Sequence, residues 1–455
     1  MINMTRTKTV MPEQDPQVRN KNFNEVTTGY TEEMAIHEAM RCLKCRKKPC
    51  MMVGCPVHNH IPDFIAKVSE GEFEEAYQIL KQTTTLPAVC GRVCPQYLQC
   101  EGACVRGKKG KPVSIGALER FVADWHRHHK DKDAPRDIKL NGYKVAVVGS
   151  GPAGITCAGD LADLGYEVTI FEKENILGGV LAYGIPEFRL PKEILELEIY
   201  SLNSKGVHIE TGKALGRDFT LDDLLEKQGF NAVFIGNGAG KPSKLGIPGS
   251  DSEGVISAAD FLSKINIEGV LSEAKKIAVI GGGNVAMDAC RAAMRCPKAE
   301  KVYIVYRRSL NEMPADPSEI HEAMDEGIEF MYLTGPLEVI AKEGKVTGLK
   351  CQKMFLSDPD ESGRRSPVPV KDSEFTLDVD CIIEAIGNGS DNECADGVKI
   401  SDGKGYITVD DDTFATSRKG VYAGGDTVTG PKTVISAMGA GKKAAIAISE
   451  YLKVN

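Results

Sequence analysis

Lys144-Val145-Ala146-Val147-Val148-Gly149-Ser150-Gly151-Pro152-Ala153-Gly154 is a short apolar run that breaks into a glycine loop and then a helix-like segment reaching Leu164. Gly165-Tyr166 makes the turn, and Glu167-Val168-Thr169-Ile170-Phe171-Glu172 reads as the next strand. Strand, loop, helix, strand is a βαβ unit and predicts a parallel sheet. Within the loop, Gly149 permits the tight turn and Gly151 lets backbone approach a diphosphate. Gly154 packs helix on strand, so that first-turn N–H groups, opened by Pro152 and Ala153, face phosphate. Glu172 closes the second strand where a carboxylate bonds a ribose hydroxyl. A lone G-x-G-x-x-G arises by chance; in this context it is specific.

The same grammar returns about 130 residues later. Lys276-Ile277-Ala278-Val279-Ile280 runs into Gly281, a helix-like segment reaches Met294, and Lys301-Val302-Tyr303-Ile304-Val305-Tyr306 follows. Its loop, Gly281-Gly282-Gly283-Asn284-Val285-Ala286, has the G-x-G-x-x-A form. Its second strand ends in Arg307-Arg308 rather than an acid. Guanidinium groups there suit a 2′-phosphate, where a carboxylate would suit a free 2′-hydroxyl, so NADP(H) is favoured over NAD(H). Two solvated arginines are the plainer reading, and their register at the strand end argues against it.

Val421-Tyr422-Ala423-Gly424-Gly425-Asp426, then Gly430, Thr433 and an apolar helix from Val434, form a third element. Alone it is a Gly-Gly turn with a capping acid. Paired with Gly149 to Gly154, it reads as an FAD site in which Asp426 bonds the ribityl chain. The following helix would aim its N-terminus at the flavin ring.

Eight of the 14 cysteines fall between Cys42 and Cys104. They read Cys42-x2-Cys45-x4-Cys50-x4-Cys55-Pro56 and Cys90-x3-Cys94-Pro95-x4-Cys100-x3-Cys104. Iron–sulfur clusters need converging thiolates from short loops, and Cys-Pro steps accompany such runs. Two zinc sites are the alternative, but paired C-x2-C spacing is missing. The other six (Cys157, Cys290, Cys296, Cys351, Cys381, Cys394) read as packing residues. Helical patterns cover Thr31–Cys42 with Thr31 as N-cap, Ile61–Val68 and Phe73–Leu80, with no convincing strand. His58, His60 and Trp125-His126-Arg127-His128-His129 are expected on exposed turns and a linker. Lys130 to Arg136 reads as that linker.

The chain has 455 residues and a net charge of −8, which predicts two or three domains and no nucleic-acid partner. The basic run Lys108-Lys109-Gly110-Lys111 reads as a solvated loop. Met1 to Gln17 is polar with Pro12 and Pro16 and does not read as a signal peptide. No run of about 18 apolar residues predicts a membrane span, so a cytoplasmic protein is expected.

Taken together, these features resemble the small (β) subunit of NADPH-dependent glutamate synthase and its relatives, nearly end to end. The stretches carrying the resemblance are Pro87–Pro95, Gln99–Cys104, Ile115–Phe121, Gly178–Pro186 and Gly281–Arg308. It implies an α/β chain in which an N-terminal α-helical iron–sulfur domain is followed by two Rossmann-like dinucleotide-binding domains of adrenodoxin reductase/glutathione reductase type. The implied division is residues 1–130 with two [4Fe–4S] clusters, 143–252 and 377–455 as the two parts of an FAD domain, and 253–376 as an inserted NADPH domain. One cluster would take Cys42, Cys45, Cys50 and Cys104, the other Cys55, Cys94, Cys100 and Glu119. Counting thiols alone would instead use Cys90 and leave Glu119 on a helix surface. Lys173, Gly179 and Gly387 join the expected cofactor-binding set. The chain departs from the family pattern at the Cys50–Cys55 interval, one residue longer than usual, at Asp316-Pro317 and at Asn237.

The implied function is an NADPH-dependent oxidoreductase subunit that moves electrons from NADPH through FAD and the clusters to a partner for reductive glutamate synthesis. Nothing here supplies a glutaminase nucleophile or an FMN barrel, so a large glutamate synthase chain would be that partner. The alternative is the large subunit of an electron-bifurcating NADH-dependent ferredoxin:NADP+ oxidoreductase, with a small flavin and [2Fe–2S] subunit and ferredoxin as partners. A zinc-stabilised redox sensor is a third class. A disulfide reductase is disfavoured, since no C-x-x-C lies in or after either nucleotide unit.

Overall fold

The computed structural model describes residues 2–129, 138–361, 363–401 and 405–454. Two five-stranded parallel sheets carry the nucleotide units. The first runs in the order Val421–Ala423, Ala232–Ile235, Lys144–Val148, Glu167–Phe171, His208–Glu210. Its central strand pairs Val145 with Val168 on one side and with Ala232 on the other. Strands covered on both faces must be apolar along their whole length, and Val145 to Val148 are all buried. Helices Pro152–Asp163 and Val434–Val454 pack closely on one face. A Cβ at Gly441 would collide with the Ala153 carbonyl, so the closeness depends on that glycine.

The second sheet has the order Val255–Ser257, Cys381–Glu384, Lys276–Ile280, Lys301–Val305, Glu329–Met331. A three-stranded antiparallel sheet, Thr334–Lys342, Lys345–Leu356 and Pro367–Leu377, leans on it. The repeated βαβ pattern gave no hint of this sheet. The chain leaves the first sheet through Lys241–Pro242 and returns through Asn388–Gly389, and these two segments pair antiparallel. The strand Val421–Ala423 then completes the first sheet beside Ala232–Ile235.

The N-terminal unit is helical, with one isolated bridge between Glu13 and Thr27. Thr31 caps the helix Glu32–Ala39, its Oγ1 accepting from Met34 N at 3.3 Å. That helix stops short of Cys42 because the Arg41 side chain turns inward to Glu38 and to the carbonyls of Lys111 and Pro112. Helices Ile61–Glu70 and Phe73–Lys81 follow, and two more, Pro87–Val93 and Ile115–His129, lie outside the three helical patterns read from sequence, the second carrying Glu119. The second corrects the reading of the histidines: His126, His128 and His129 end a 15-residue helix, not a linker. Phe121, Val122 and Trp125 extend its apolar face to that point, and His126 stacks on Tyr77 with ring centroids 3.6 Å apart. His58 does lie on an exposed turn. The expected linker, Lys130 to Arg136, lies outside the described residues. Among the described residues no helix is long and apolar enough to cross a membrane.

A buried junction ties the three units together. The N-terminal arm sends Val26 N to Phe188 O at 2.9 Å and Arg19 Nε to Glu326 Oε1 at 3.0 Å. Arg291 and Arg295 also bind Glu326, and the Arg295 guanidinium lies 4.0 Å from the Phe188 ring centroid. Arg189, next to Phe188, pairs with Asp288 at 2.8 Å. Burial acts to raise the Glu326 carboxyl, but hydrogen bonds from Arg295 and Arg291 overcome it and hold the pKa at about 2.

Candidate functional site

A cleft of about 510 Å³ opens at the carboxyl ends of the first sheet, where ligands bind in open parallel sheets. Gly149, Gly151, Pro152, Ala153, Glu172, Lys173, Gly179, Gly425, Asp426 and Thr433 all line it, brought together from opposite ends of the sequence. Gly149 has φ +95°, and a Cβ there would sit 2.6 Å from Gly236 O. Gly154 lies beneath the lining, where a Cβ would strike Gly149 O; Gly151 has nothing within 4 Å on its Cβ side. Two glycines therefore close the turn and the third leaves room for a phosphate.

Glu172 is buried and already engaged. Its Oε2 accepts from Ser150 N at 2.8 Å and Ser150 Oγ at 2.6 Å, and its Oε1 from Glu174 N at 2.9 Å. It therefore fixes the shape of the phosphate loop, and its remaining lone pairs are left for a sugar hydroxyl. Across the cleft, Asp426 Oδ1 accepts from Lys432 N at 3.1 Å, and burial pushes its carboxyl up to about 6. Thr433 precedes the helix Val434–Val454, and Val434 and Ala437 of its first turn face the cleft. Sequence reading missed Tyr183, Lys213 and Lys432 as lining residues. It noted Asn237 only as a departure; Asn237 lines the cleft and donates to Asn392 Oδ1 at 3.0 Å.

The second glycine loop sits at the end of Lys276–Ile280. A Cβ on Gly281 would collide with Ala385 O, and one on Gly282 would meet the Tyr306 ring at 2.7 Å. At Gly283 the nearest atom is 3.9 Å away, leaving an open approach. Asn284 starts the helix Asn284–Met294, and its Oδ1 accepts from Asp316 N at 2.8 Å. Asp316, the departure residue, caps the helix Pro317–Asp325 through Ser318 N. Val285 is exposed and Ala286 buried. Arg307 is exposed and Arg308 half-buried. Among the described residues neither is held in an ion pair, so both are free to meet an anion. Gly387 is apart from the cleft lining, beside the returning segment, where its carbonyl accepts from Ser243 N at 3.0 Å.

The eight N-terminal cysteines divide into two groups. Cys42, Cys45, Cys50 and Cys104 line one small pocket with Leu43, Pro49 and Ile65. Burial raises the thiol of Cys42, and that of Cys50 to about 12, with the neighbouring sulfurs adding to the rise. Burial likewise raises Cys55 to about 11 and holds Cys100 well above the ordinary thiol range, and each feels both Glu119 and Cys94. Glu119 is buried, accepts from Asn59 Nδ2 at 3.3 Å, and is pushed up to about 8 by burial and then by Glu198. It is therefore not a helix-surface carboxylate. Cys90 adjoins this second group through a hydrogen bond with Cys94, and its Sγ lies 3.6 Å from Met438 Sδ. Buried thiols and a buried carboxyl that resist ionisation are stabilised as anions only by a strong cationic centre, which fits iron. Among the described residues no three His, Cys, Asp or Glu side chains are grouped closely enough to hold a single metal ion. Gln99 Nε2, next to Cys100, donates to Thr433 Oγ1 at 3.2 Å, so the second group abuts the cleft. Cys157, Cys290, Cys296, Cys351 and Cys381 are buried, while Cys394 borders the cleft.

Residues 19–131 match the family described as dihydropyrimidine dehydrogenase domain II, 4Fe-4S cluster. Residues 143–441 match the pyridine nucleotide-disulphide oxidoreductase family. The chain is 35% identical to the glutamate synthase [NADPH] small chain of Escherichia coli, over 97% of each chain. It is 41% identical to the NADP(+)-dependent formate dehydrogenase subunit beta of Moorella thermoacetica, over 89% of this chain, and spans 60% of that relative's length. In fold it resembles the Mycobacterium tuberculosis FprA in complex with NADPH, with a TM-score of 0.59 and 20% identity over 69% of this chain and 85% of that one. The chain belongs to the family of NADPH-dependent iron–sulfur flavin oxidoreductases that includes the glutamate synthase small chains.

Proposed function

We propose that this chain binds FAD in the cleft of the first sheet, NADP(H) on the second glycine loop and two [4Fe–4S] clusters in the helical unit. The contact of Gln99 with Thr433 carries the reading, because it joins the second cysteine group to the helix that opens on the cleft. Bound FAD would supply the exchange between a two-electron hydride and single electrons. The chain's own task is to hold and align. Arg307 and Arg308 would clamp the 2′-phosphate of the nucleotide, and Gly283 would let its diphosphate approach the N-terminus of Asn284–Met294. Glu172 and Asp426 would accept from sugar and ribityl hydroxyls, and the N-terminal dipole of Val434–Val454 would favour negative charge on the reduced ring. Cys55, Cys94, Cys100 and Glu119 would hold the inner cluster. Cys42, Cys45, Cys50 and Cys104 would hold the outer one.

The electrons leave for a second polypeptide, a large chain of glutamate synthase type. The 41% identity to a formate dehydrogenase subunit favours a second reading. In it, electrons enter through the clusters from a partner dehydrogenase and leave as NADPH. Anaerobic titration of the purified chain with NADPH, then NADH, tests the common core by visible and EPR spectra. Bleaching by NADPH but not NADH, with about eight irons and eight sulfides per chain, is expected. Equal bleaching by both nucleotides removes the NADP(H) assignment, and zinc in place of iron removes the clusters.

A further inference from the structure

We propose that the loops over the outer cysteine group form the docking face for an acidic redox protein, a partner that presents carboxylates around its own centre. The inference rests on the cluster assignment above and adds the chemistry of what binds there. The chain as a whole is acidic, with a net charge of −8, yet residues 39–62 and 102–118 contain no Asp or Glu. These two segments carry Cys42, Cys45, Cys50 and Cys104, and the shared pocket brings them together. Lys44, Arg46, Lys47, Lys108, Lys109 and Lys111 are exposed there. Among the described residues none of the six has a carboxylate partner, whereas nearby Lys48 and Lys8 pair with Asp63 and Glu101. Six uncompensated cations on an acidic molecule make a local field of reversed sign, which steers an anionic partner and fixes its register.

The centre of this face is apolar. Met52 is 54% exposed and Val53 82%, in the turn between Cys50 and Cys55; Leu98 is 70% exposed, between Cys94 and Cys100. The two turns touch, since a Cβ on Gly54 would meet Cys100 Cα at 2.7 Å. An apolar centre with a charged rim is the make-up of a protein interface, and here the apolar residues lie on the turns that carry the cysteines. The run at Lys108–Lys111, a solvated loop by sequence alone, becomes part of that rim.

Binding to the holoenzyme is measured by calorimetry with an acidic plant-type [2Fe–2S] ferredoxin as probe. Basic mitochondrial cytochrome c and phosphatidylserine vesicles serve as alternatives. The ferredoxin is expected to bind, with Kd rising roughly tenfold between about 50 and 300 mM salt. Lys108→Glu/Lys109→Glu/Lys111→Glu is expected to weaken it at least about tenfold. Lys342→Glu/Lys371→Glu, on the three-stranded sheet, leaves it unchanged. Ferredoxin binding no better than cytochrome c, indifference to the triple reversal, or salt-sensitive binding of vesicles in its place would overturn the proposal. Flavin bleaching by NADPH and iron content are read on the same samples. Their loss in the parent protein would count against the cofactor assignment, whereas their retention with no ferredoxin binding counts against the docking face alone.

Discussion

Asp426 shows how a residue proposed to bind a cofactor can weigh on the protein that carries it. Its carboxyl is pushed from the usual 3.8 to about 6, so the folded cofactor-free chain prefers it protonated. The stability this gives is complete below pH 3.8 and is lost as pH rises through 6, leaving a penalty at neutral pH. Asp426→Asn is therefore expected to raise the melting temperature of the FAD-free chain at pH 7 while loosening FAD about tenfold or more, because a charge-assisted hydrogen bond is lost. Thermal scans and flavin release measure the two effects. At the other loop, Arg307→Ser/Arg308→Ser should raise KM for NADPH roughly tenfold to a hundredfold. The fourth ligand of the inner cluster has its own test. Cys90→Ser, facing Met438, should keep both EPR signals, while Glu119→Ala should alter one; the reverse result would reassign the site. Residues of this kind were legible where a motif names them. Glu119 was not: no thiol count points to a carboxylate, and only family resemblance did. Tyr183, Lys213 and Lys432 belong to no motif and reach the cleft through chain packing.

At the level of elements, the paired glycine loops are the parts sequence read best, because Gly149, Gly154, Gly281 and Gly282 answer steric demands seen in the structure and Gly151 and Gly283 leave open space. Gly154→Ala drives a methyl into Gly149 O, and Gly281→Ala drives one into Ala385 O. Each should abolish binding of its own nucleotide and lower the melting temperature by several degrees, with the other site still loading. The helix Ile115–His129 escaped the periodicity reading for a physical reason. Its buried face includes Glu119 and Arg120 as well as Leu118 and Val122, so its apolar spacing is broken by buried charge. Arg120 is held by Glu25 and Asp124. The antiparallel sheet escaped for the opposite reason. Pro367–Leu377 is largely exposed and carries Lys371, Asp372 and Glu374, so it looks like a polar loop until Lys345–Leu356 pairs with it.

For the molecule as a whole, the junction at Glu326 decides how firmly the nucleotide units and the N-terminal arm are held. Removing one partner of a buried charge network leaves the others uncompensated and costs about 3–5 kcal/mol. Glu326→Gln should therefore speed hydrogen exchange in residues 12–28 and in Phe188, with Arg19, Arg291 and Arg295 left facing one another. The same contact is acid-sensitive. With the carboxyl held at about 2 against an ordinary 4.5, its stabilisation is complete above pH 4.5 and is lost as pH falls through 2. The arm should thus loosen in that window, ahead of strands such as Val145–Val148, and exchange rates at pH 4.5 and pH 3 measure it. None of this was visible in sequence, where Arg19 is an unremarkable cation 307 positions from its partner.

The route of the chain through the first sheet has a consequence for how the protein is made. The strand Val421–Ala423 hydrogen-bonds to Ala232–Ile235, a partner synthesised nearly two hundred residues earlier. Thr433 and the helix Val434–Val454, which close the cleft, emerge later still. The inserted sheet, by contrast, takes all five strands from residues 255–384 and can settle while the ribosome is still working. The cleft proposed for the flavin must then wait half-built, its apolar edge at Ala232–Ile235 lacking this neighbour, until translation is almost over. Nascent chains stalled before residue 421 should hold a protease-resistant NADPH unit and no flavin, so that FAD capture is a final step in biogenesis.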